Sequence, residues 1–365
     1  MSHTARAWTM SQPGAPLQET AFTPAPPQAG EMLLSVAGCG VCHTDIGFLH
    51  DGVPTRHDLP LTLGHEIAGT VLDVGEDSAL HDGRQLQPGQ KVIVPAVLPC
   101  GTCPVCASGR ENMCPRQKMP GNDMNGGFAT HITVPARFLV PVDDMPAGHE
   151  LAHLAVVADA VTTPYQALRR ARVAADEQVV IIGGGGIGIY GVQIAAAMGA
   201  SVITVDVSAT QVERSRSHGA AAAVCTDGMD MKQARGAVRK AAGDLGWGRS
   251  GWKIFEMSGS GGGQELAFSL LCHGATLAIV GYTPRPVTVR LSNLMAFDAD
   301  AFGSWGCRPQ YYTDVLDLIA AGKVNVEPFV AFHDLDDVNA VLDDAHAGRL
   351  QARAVLLPGK QEDRA

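Results

Sequence analysis

The stretch "QVVIIGGGGIGIYGVQIAAAMGASVITVDVS", Gln178 to Ser208, leaves the chain around it little choice of fold. Val179 to Ile182 is an apolar run suited to a strand buried on both faces. Gly183, Gly185 and Gly188 then fill G-x-G-x-x-G. The first makes the tight turn, the second lets backbone approach a pyrophosphate, and the third packs helix on strand. Ile187 to Met198 has helical composition, Gly199 fits its C-cap, and Ser201 to Val205 reads as the next strand. Free N–H groups at the helix N-terminus, flanked by Gly186 and Ile187, suit the pyrophosphate. Asp206 follows 18 residues beyond Gly188. A carboxylate there accepts hydrogen bonds from a ribose 2′-OH and repels a 2′-phosphate, which favours NAD over NADP.

The alternation continues downstream. Ala221 to Cys225, Lys253 to Met257 and Thr276 to Val280 read as strands, with helical segments around Gln233–Ala242 and Gln264–Cys272. Alternating β and α implies a parallel doubly wound sheet, so the fold class is α/β. Residues 1 to 160 differ, with short β-like pieces, many Gly and Pro and little helix. At 365 residues two domains are expected, and this shift marks their boundary.

Charge narrows the function. A formal net charge of −10 argues against a nucleic-acid partner, which needs a basic face. Val179 to Val205 is almost free of charge, but its seven glycines and changing period exclude a membrane span. The opening "MSHTARAWTM" has no apolar core of a signal peptide, so a cytoplasmic, reducing setting is expected. Clustered cysteines in such a setting are more often metal ligands than disulfides.

Four of the nine cysteines fall in "CGTCPVCASGRENMC". Cys100, Cys103, Cys106 and Cys114 form C-x2-C-x2-C-x7-C, which suits a tetrahedral zinc, with an iron–sulfur cluster as the chemical competitor. Four sulfurs leave no position for a substrate, so this site braces a loop. A second constellation is thinner. Cys42, in "AGCGVCHTDIGFLHDG", and His65, in "LTLGHEIAGTVLDVG", are separated by 22 residues and suit part of an open metal site.

Taken together, "GCGVCHTD", "GHEIAGTVLDVG", the four-cysteine lobe and "GGGGIG" resemble the zinc-dependent medium-chain alcohol dehydrogenases over nearly the whole chain. The resemblance implies a GroES-like β-rich catalytic domain over 1–160, with a structural zinc lobe at about 95–118. A Rossmann NAD-binding domain would span 161–302, with a return to the catalytic domain over 303–365. It implies NAD and two zinc ions per chain, one catalytic and one structural, and a homo-oligomer, dimer or tetramer. Cys42 and His65 match catalytic-zinc ligands, and Asp159 stands where many relatives have a third, cysteine, ligand. Carboxylate oxygen is an acceptable replacement, and a charge within "LAVVADAVTTPY" needs a partner. Glu66 is the alternative or exchanging ligand. Asp45 matches the acid that orients the ligand histidine. Thr44 matches the hydroxyl that takes the alcohol proton, and Gly47 stands where many relatives have a relaying histidine, leaving His43 and His50 as substitutes. His43 and Arg353 match cofactor-contacting positions, Arg353 at the pyrophosphate.

A narrower likeness lies in "VIVPAVLPCGTC", "MPGNDMNGGFATH", "VVADAVTTPYQAL", "HGATLAIVGYT" and "VRLSNLMAFDADAFGSWGC". It points within the family to the 6-hydroxycyclohex-1-ene-1-carbonyl-CoA dehydrogenases of aromatic degradation. That likeness implies a cyclic secondary alcohol carried on a CoA thioester, with Arg169, Arg170, Arg172, Arg56 and His57 as possible phosphate contacts. The plain family reading is a small-molecule alcohol without CoA.

Overall fold

A computed structural model describes residues 4–359. The chain divides into two compact units. One comprises residues 4–162, Gly306–Ala320 and 325–359, the other Thr163–Trp305 and Ala321–Val324.

The first unit is built on antiparallel strands. Glu31–Gly40 pairs with Glu66–Val74 and with His131–Pro135 in a seven-stranded sheet. Glu31–Gly40 alternates half-buried and buried positions along most of its length, the period expected of a sheet with one face on a core. Met32, Leu34 and Val36 enter that core with Ile67, Val71, Val92 and Phe128. The strand Arg353–Leu357 returns late in the chain to pair with Glu31–Gly40, through Val355↔Gly40 and Leu356↔Cys39. A smaller sheet joins Gln18–Phe22, Ala5–Met10 and Leu61–Thr62.

The second unit carries a six-stranded parallel sheet: β1 (Gln178–Ile182), β2 (Ser201–Asp206), β3 (Ala222–Cys225), β4 (Lys253–Glu256), β5 (Thr276–Ile279) and β6 (Asp300–Gly303). The order is β3-β2-β1-β4-β5-β6, with its reversal beside β1, the arrangement that binds dinucleotides at the strands' carboxyl ends. Val180 and Ile182 pack with Ile203, Val238, Ile254 and Leu266. Ile181 points the other way, towards helix α1 (Gly188–Ala197), where a Cβ on Gly191 would lie 3.4 Å from it. Burial on both faces is why this strand reads as a continuous apolar run. The doubly wound α/β class holds. Sequence periodicity missed β6, whose four residues "DAFG" are exposed or only half-buried. Among the described residues no helix is long and apolar enough to cross a membrane.

Candidate active site

Strand register assembles the first cluster. Gly40 pairs with Glu66, so the end of one strand meets the start of the next. Cys42, two residues past Gly40, thereby reaches His65, one residue before Glu66. Cys42 is also the N-cap of the short helix His43–Leu49, and Asp45 in its first turn closes a capping box. Asp45 is fully buried. Its Oδ2 accepts the Cys42 N–H at 3.0 Å, and its Oδ1 accepts the Gly64 N–H at 3.0 Å and lies 3.3 Å from His65 Nδ1. The carboxylate therefore fixes both candidate ligands at once. Burial alone would lower the His65 pKa, but the charges of Asp45 and Asp159 raise it well above 6.5.

Asp159 follows the 3-10 helix Leu151–Ala158 as its C-cap. Its Oδ2 lies 3.7 Å from Cys42 Sγ and 3.8 Å from His65 Nε2. Ligands at about 2.0–2.3 Å from one tetrahedral metal would stand about 3.5 Å from each other. His65 Nε2 is buried and has no hydrogen-bond partner among the described residues, an expensive state unless a ligand fills it. Glu66 completes a group of four whose donor atoms lie within 4.8 Å of one another. It is fully buried and bound by Arg353, whose Nε donates to Oε2 at 3.0 Å and whose second nitrogen donates to Oε1. Gly40 makes room for this carboxylate, since a Cβ there would overlap Glu66 Oε2. The carboxylates of Asp45, Asp159 and Glu66 outnumber the guanidinium of Arg353 around these donors. Such an excess of carboxylates favours a bound cation.

Thr44 Oγ1 lies 3.7 Å from Cys42 Sγ and is half-buried, while His43 is exposed. Gly47 is buried, and a Cβ on it would make an ordinary 3.4 Å contact with Val53. Arg353, assigned by the resemblance to a pyrophosphate, spends its guanidinium on Glu66, with 9% of the side chain exposed. Sequence reasoning named both residues and did not pair them, because they stand 287 residues apart.

The cysteine lobe is the second cluster. Its sulfurs stand 3.5 Å (Cys103–Cys106), 3.8 Å (Cys103–Cys114) and 3.5 Å (Cys100–Cys114) apart. Four sulfurs about 2.3 Å from a tetrahedral zinc would be about 3.8 Å apart, so the residues fit the ion. The Thr102 N–H, foremost, with the Thr102 hydroxyl, the Cys114 thiol and the Cys103 N–H, lowers Cys100 to about 5. Burial pushes Cys106 up to about 12. Arg116 donates to Cys100 Sγ at 3.2 Å.

In the second unit, Gly183 turns at φ +93°, and a Cβ on it would strike Ser258. A Cβ on Gly188 would overlap the Gly183 carbonyl oxygen, whereas one on Gly185 would meet nothing within 4 Å. The middle glycine thus faces open space, and Gly186 beside it is exposed with Ile187 half-buried. Asp206 Oδ2 accepts the Gly184 N–H at 2.7 Å and Oδ1 accepts the Ser208 N–H at 2.8 Å, tying β2 to the glycine turn. Lone pairs remain on both oxygens for a ribose. Sequence reasoning passed over Glu256 at the end of β4, an acid closing an apolar strand. It is fully buried, with Oε1 accepting from Ser258 N at 2.8 Å and Gly259 N at 3.1 Å. Burial raises its pKa above 4.5. Of the basic candidates, Arg170 lies 4.2 Å over the Phe302 ring and donates to the Gly303 carbonyl, Arg169 donates to Tyr165 Oη at 2.9 Å, and Arg56 pairs with Asp123.

Comparison with known proteins agrees with this geometry. The family model "Alcohol dehydrogenase GroES-like domain" matches residues 28–144, and "Zinc-binding dehydrogenase" matches residues 186–321. An alcohol dehydrogenase of Geobacillus stearothermophilus is 28% identical over 90% of this chain and 92% of its own length. A D-arabinose 1-dehydrogenase (NADP(+)) of Saccharolobus solfataricus is 29% identical over 91% of both chains. Among solved structures, the acetophenone reductase of Geotrichum candidum in complex with NAD superposes with a TM-score of 0.82 at 26% identity, covering 97% of both chains.

Proposed function

The chain belongs to the zinc-type medium-chain alcohol dehydrogenase family, and from that premise we propose that it oxidises a secondary, cyclic alcohol to its ketone with NAD as hydride acceptor. One observation carries the reading: Cys42 and Asp159 converge on the buried Nε2 of His65, which has no hydrogen-bond partner among the described residues. These three side chains would hold the catalytic zinc, and Cys100, Cys103, Cys106 and Cys114 the structural one. When bound, zinc supplies Lewis acidity that lets an alcohol hydroxyl lose its proton near neutral pH, and NAD takes the hydride.

The chain's own residues do the rest. Asp45 holds the His65 ring through Nδ1 and so aims the Nε2 lone pair. Arg353 retains Glu66 in an ion pair, which leaves Asp159 as the third ligand. Thr44 accepts the alcohol proton, and with glycine at 47 the exposed His43, its neighbour in sequence, would pass it on. Asp206 accepts from the ribose hydroxyls, and the turn over Gly185, Gly186 and Ile187 meets the pyrophosphate with N–H groups. The Asp206 carboxylate would repel a 2′-phosphate, which supports NAD over NADP.

The narrower sequence likeness favours one refinement, a ring alcohol beside a CoA thioester. The test is an NAD-reduction assay of the zinc-loaded protein with cyclic secondary alcohols, offered as free acids and as CoA thioesters, with NADP in parallel. NADH formation is expected, with NADP the poorer acceptor. Failure to reduce NAD with any secondary alcohol contradicts the reading, and equal turnover of acid and thioester removes CoA from it.

A further inference from the structure

A hydrogen-bonded path runs from the cysteine lobe to Asp159, through residues given no role so far. Glu111 lies three residues before Cys114, in the short helix Glu111–Met113, and is 8% exposed. Its backbone carbonyl accepts the Cys114 N–H at 3.0 Å. Its carboxylate accepts on both oxygens, from Arg308 Nε at 2.9 Å and from Gln310 Nε2 at 3.0 Å. Such two-pronged, charge-assisted bonding in a half-buried place is directional as well as strong. Arg308 and Gln310 lead into the helix Tyr312–Ala320, and Tyr312 is 1% exposed. Its hydroxyl donates to the Ala158 carbonyl at 2.5 Å.

That last bond bears on Asp159. The carbonyl of Ala158 and the N–H and Cα of Asp159 share one planar peptide unit. Pinning the oxygen therefore sets the base from which the Asp159 carboxylate swings. Asp159 has φ −143° and ψ −59°, outside the helix, so the helical ladder does not set it. The Ala96 N–H also donates to that carbonyl, at the longer distance of 3.3 Å. Gly306, two residues before Arg308, has φ +48°, and a Cβ on it would stand 2.7 Å from Val97, so this segment lies tight against Val97.

We propose that Glu111, Arg308 and Tyr312 form a strut through which the cysteine lobe holds Asp159 in ligating position, so that an intact lobe tightens metal binding at the Cys42 cluster. The inference rests on Asp159 being a ligand. Tyr312, Arg308 and Glu111 are positioning residues, because each acts on the site through Asp159.

The test follows release of zinc from the two-zinc holoprotein to a chromophoric chelator, resolved into two phases. Cys103→Ser identifies the lobe phase by its loss. Tyr312→Phe removes one oxygen atom and is expected to speed the other phase about tenfold, the scale on which partners of metal ligands act, with the lobe phase unchanged. Glu111→Gln is expected to speed the same phase by a smaller factor, and Arg308→Lys likewise, since a lysine lacks the Nε–H that meets Glu111. If Tyr312→Phe does not fold, those two variants decide. Unchanged release, even with a lowered melting temperature, makes the path a plain structural contact and overturns the proposal. Asp159→Asn separates the two claims. If it speeds or abolishes that phase and the strut variants leave it unchanged, the strut fails and the ligand stands. If it leaves release unchanged, the ligand assignment itself fails.

Discussion

All four sulfurs of the lobe come from the fifteen residues Cys100 to Cys114, whereas Cys42 and Asp159 meet across 117 residues. The lobe is closed by local turns: Cys103 caps a four-residue helix and accepts the Cys106 N–H. The Cys42 cluster exists only because two antiparallel strands pair in one register, Gly40 with Glu66, and because a 3-10 helix delivers Asp159. A one-residue slip there would turn every side chain of the strand to its other face. The lobe can therefore brace the fold with little dependence on it. The other cluster is a product of the fold, with mixed sulfur, nitrogen and oxygen donors.

That contrast sets what substitutions should do. The largest effect is expected from His65→Ala, which removes a Lewis-acid site worth several kcal/mol: kcat should fall roughly a thousandfold while the melting temperature moves by a few degrees at most. A variant that unfolds instead would make this cluster structural too. Cys103→Ser should do the reverse, costing about 3 kcal/mol of folding stability in a denaturant titration, since loss of a structural metal is among the few large single-site effects. Retained stability would remove the lobe's bracing role. Thr44→Val keeps shape and deletes the hydroxyl. A loss of about a hundredfold in kcat with both zincs present is expected from one proton-transfer group, and unchanged kcat would pass that role to His43.

Local chemistry was legible in the sequence and distant pairing was not. The glycine turn, β1, α1 and β2 lie in one continuous stretch whose periods and turn residues speak for themselves, and the lobe's spacing is likewise local. The edge strand β6 has no apolar run to betray it. Glu66 and Arg353 were each named, but their pairing waits on a late strand, Arg353–Leu357, joining the sheet beside Gly40. Asp159 was reached through a resemblance and through the oddity of a charge in an apolar segment. Tyr312, Arg308 and Glu111 carried no signal, since each reads alone as an ordinary core or surface residue.

The central claim is that two different metal sites coexist in this chain and that Asp159 belongs to the second. Elemental analysis of the purified wild-type protein and of Asp159→Asn tests it most directly. The account predicts two zinc ions per chain in the first and one in the second, with the remaining ion in the cysteine lobe. Two zinc ions in both proteins, or a single ion in the wild type, would contradict it.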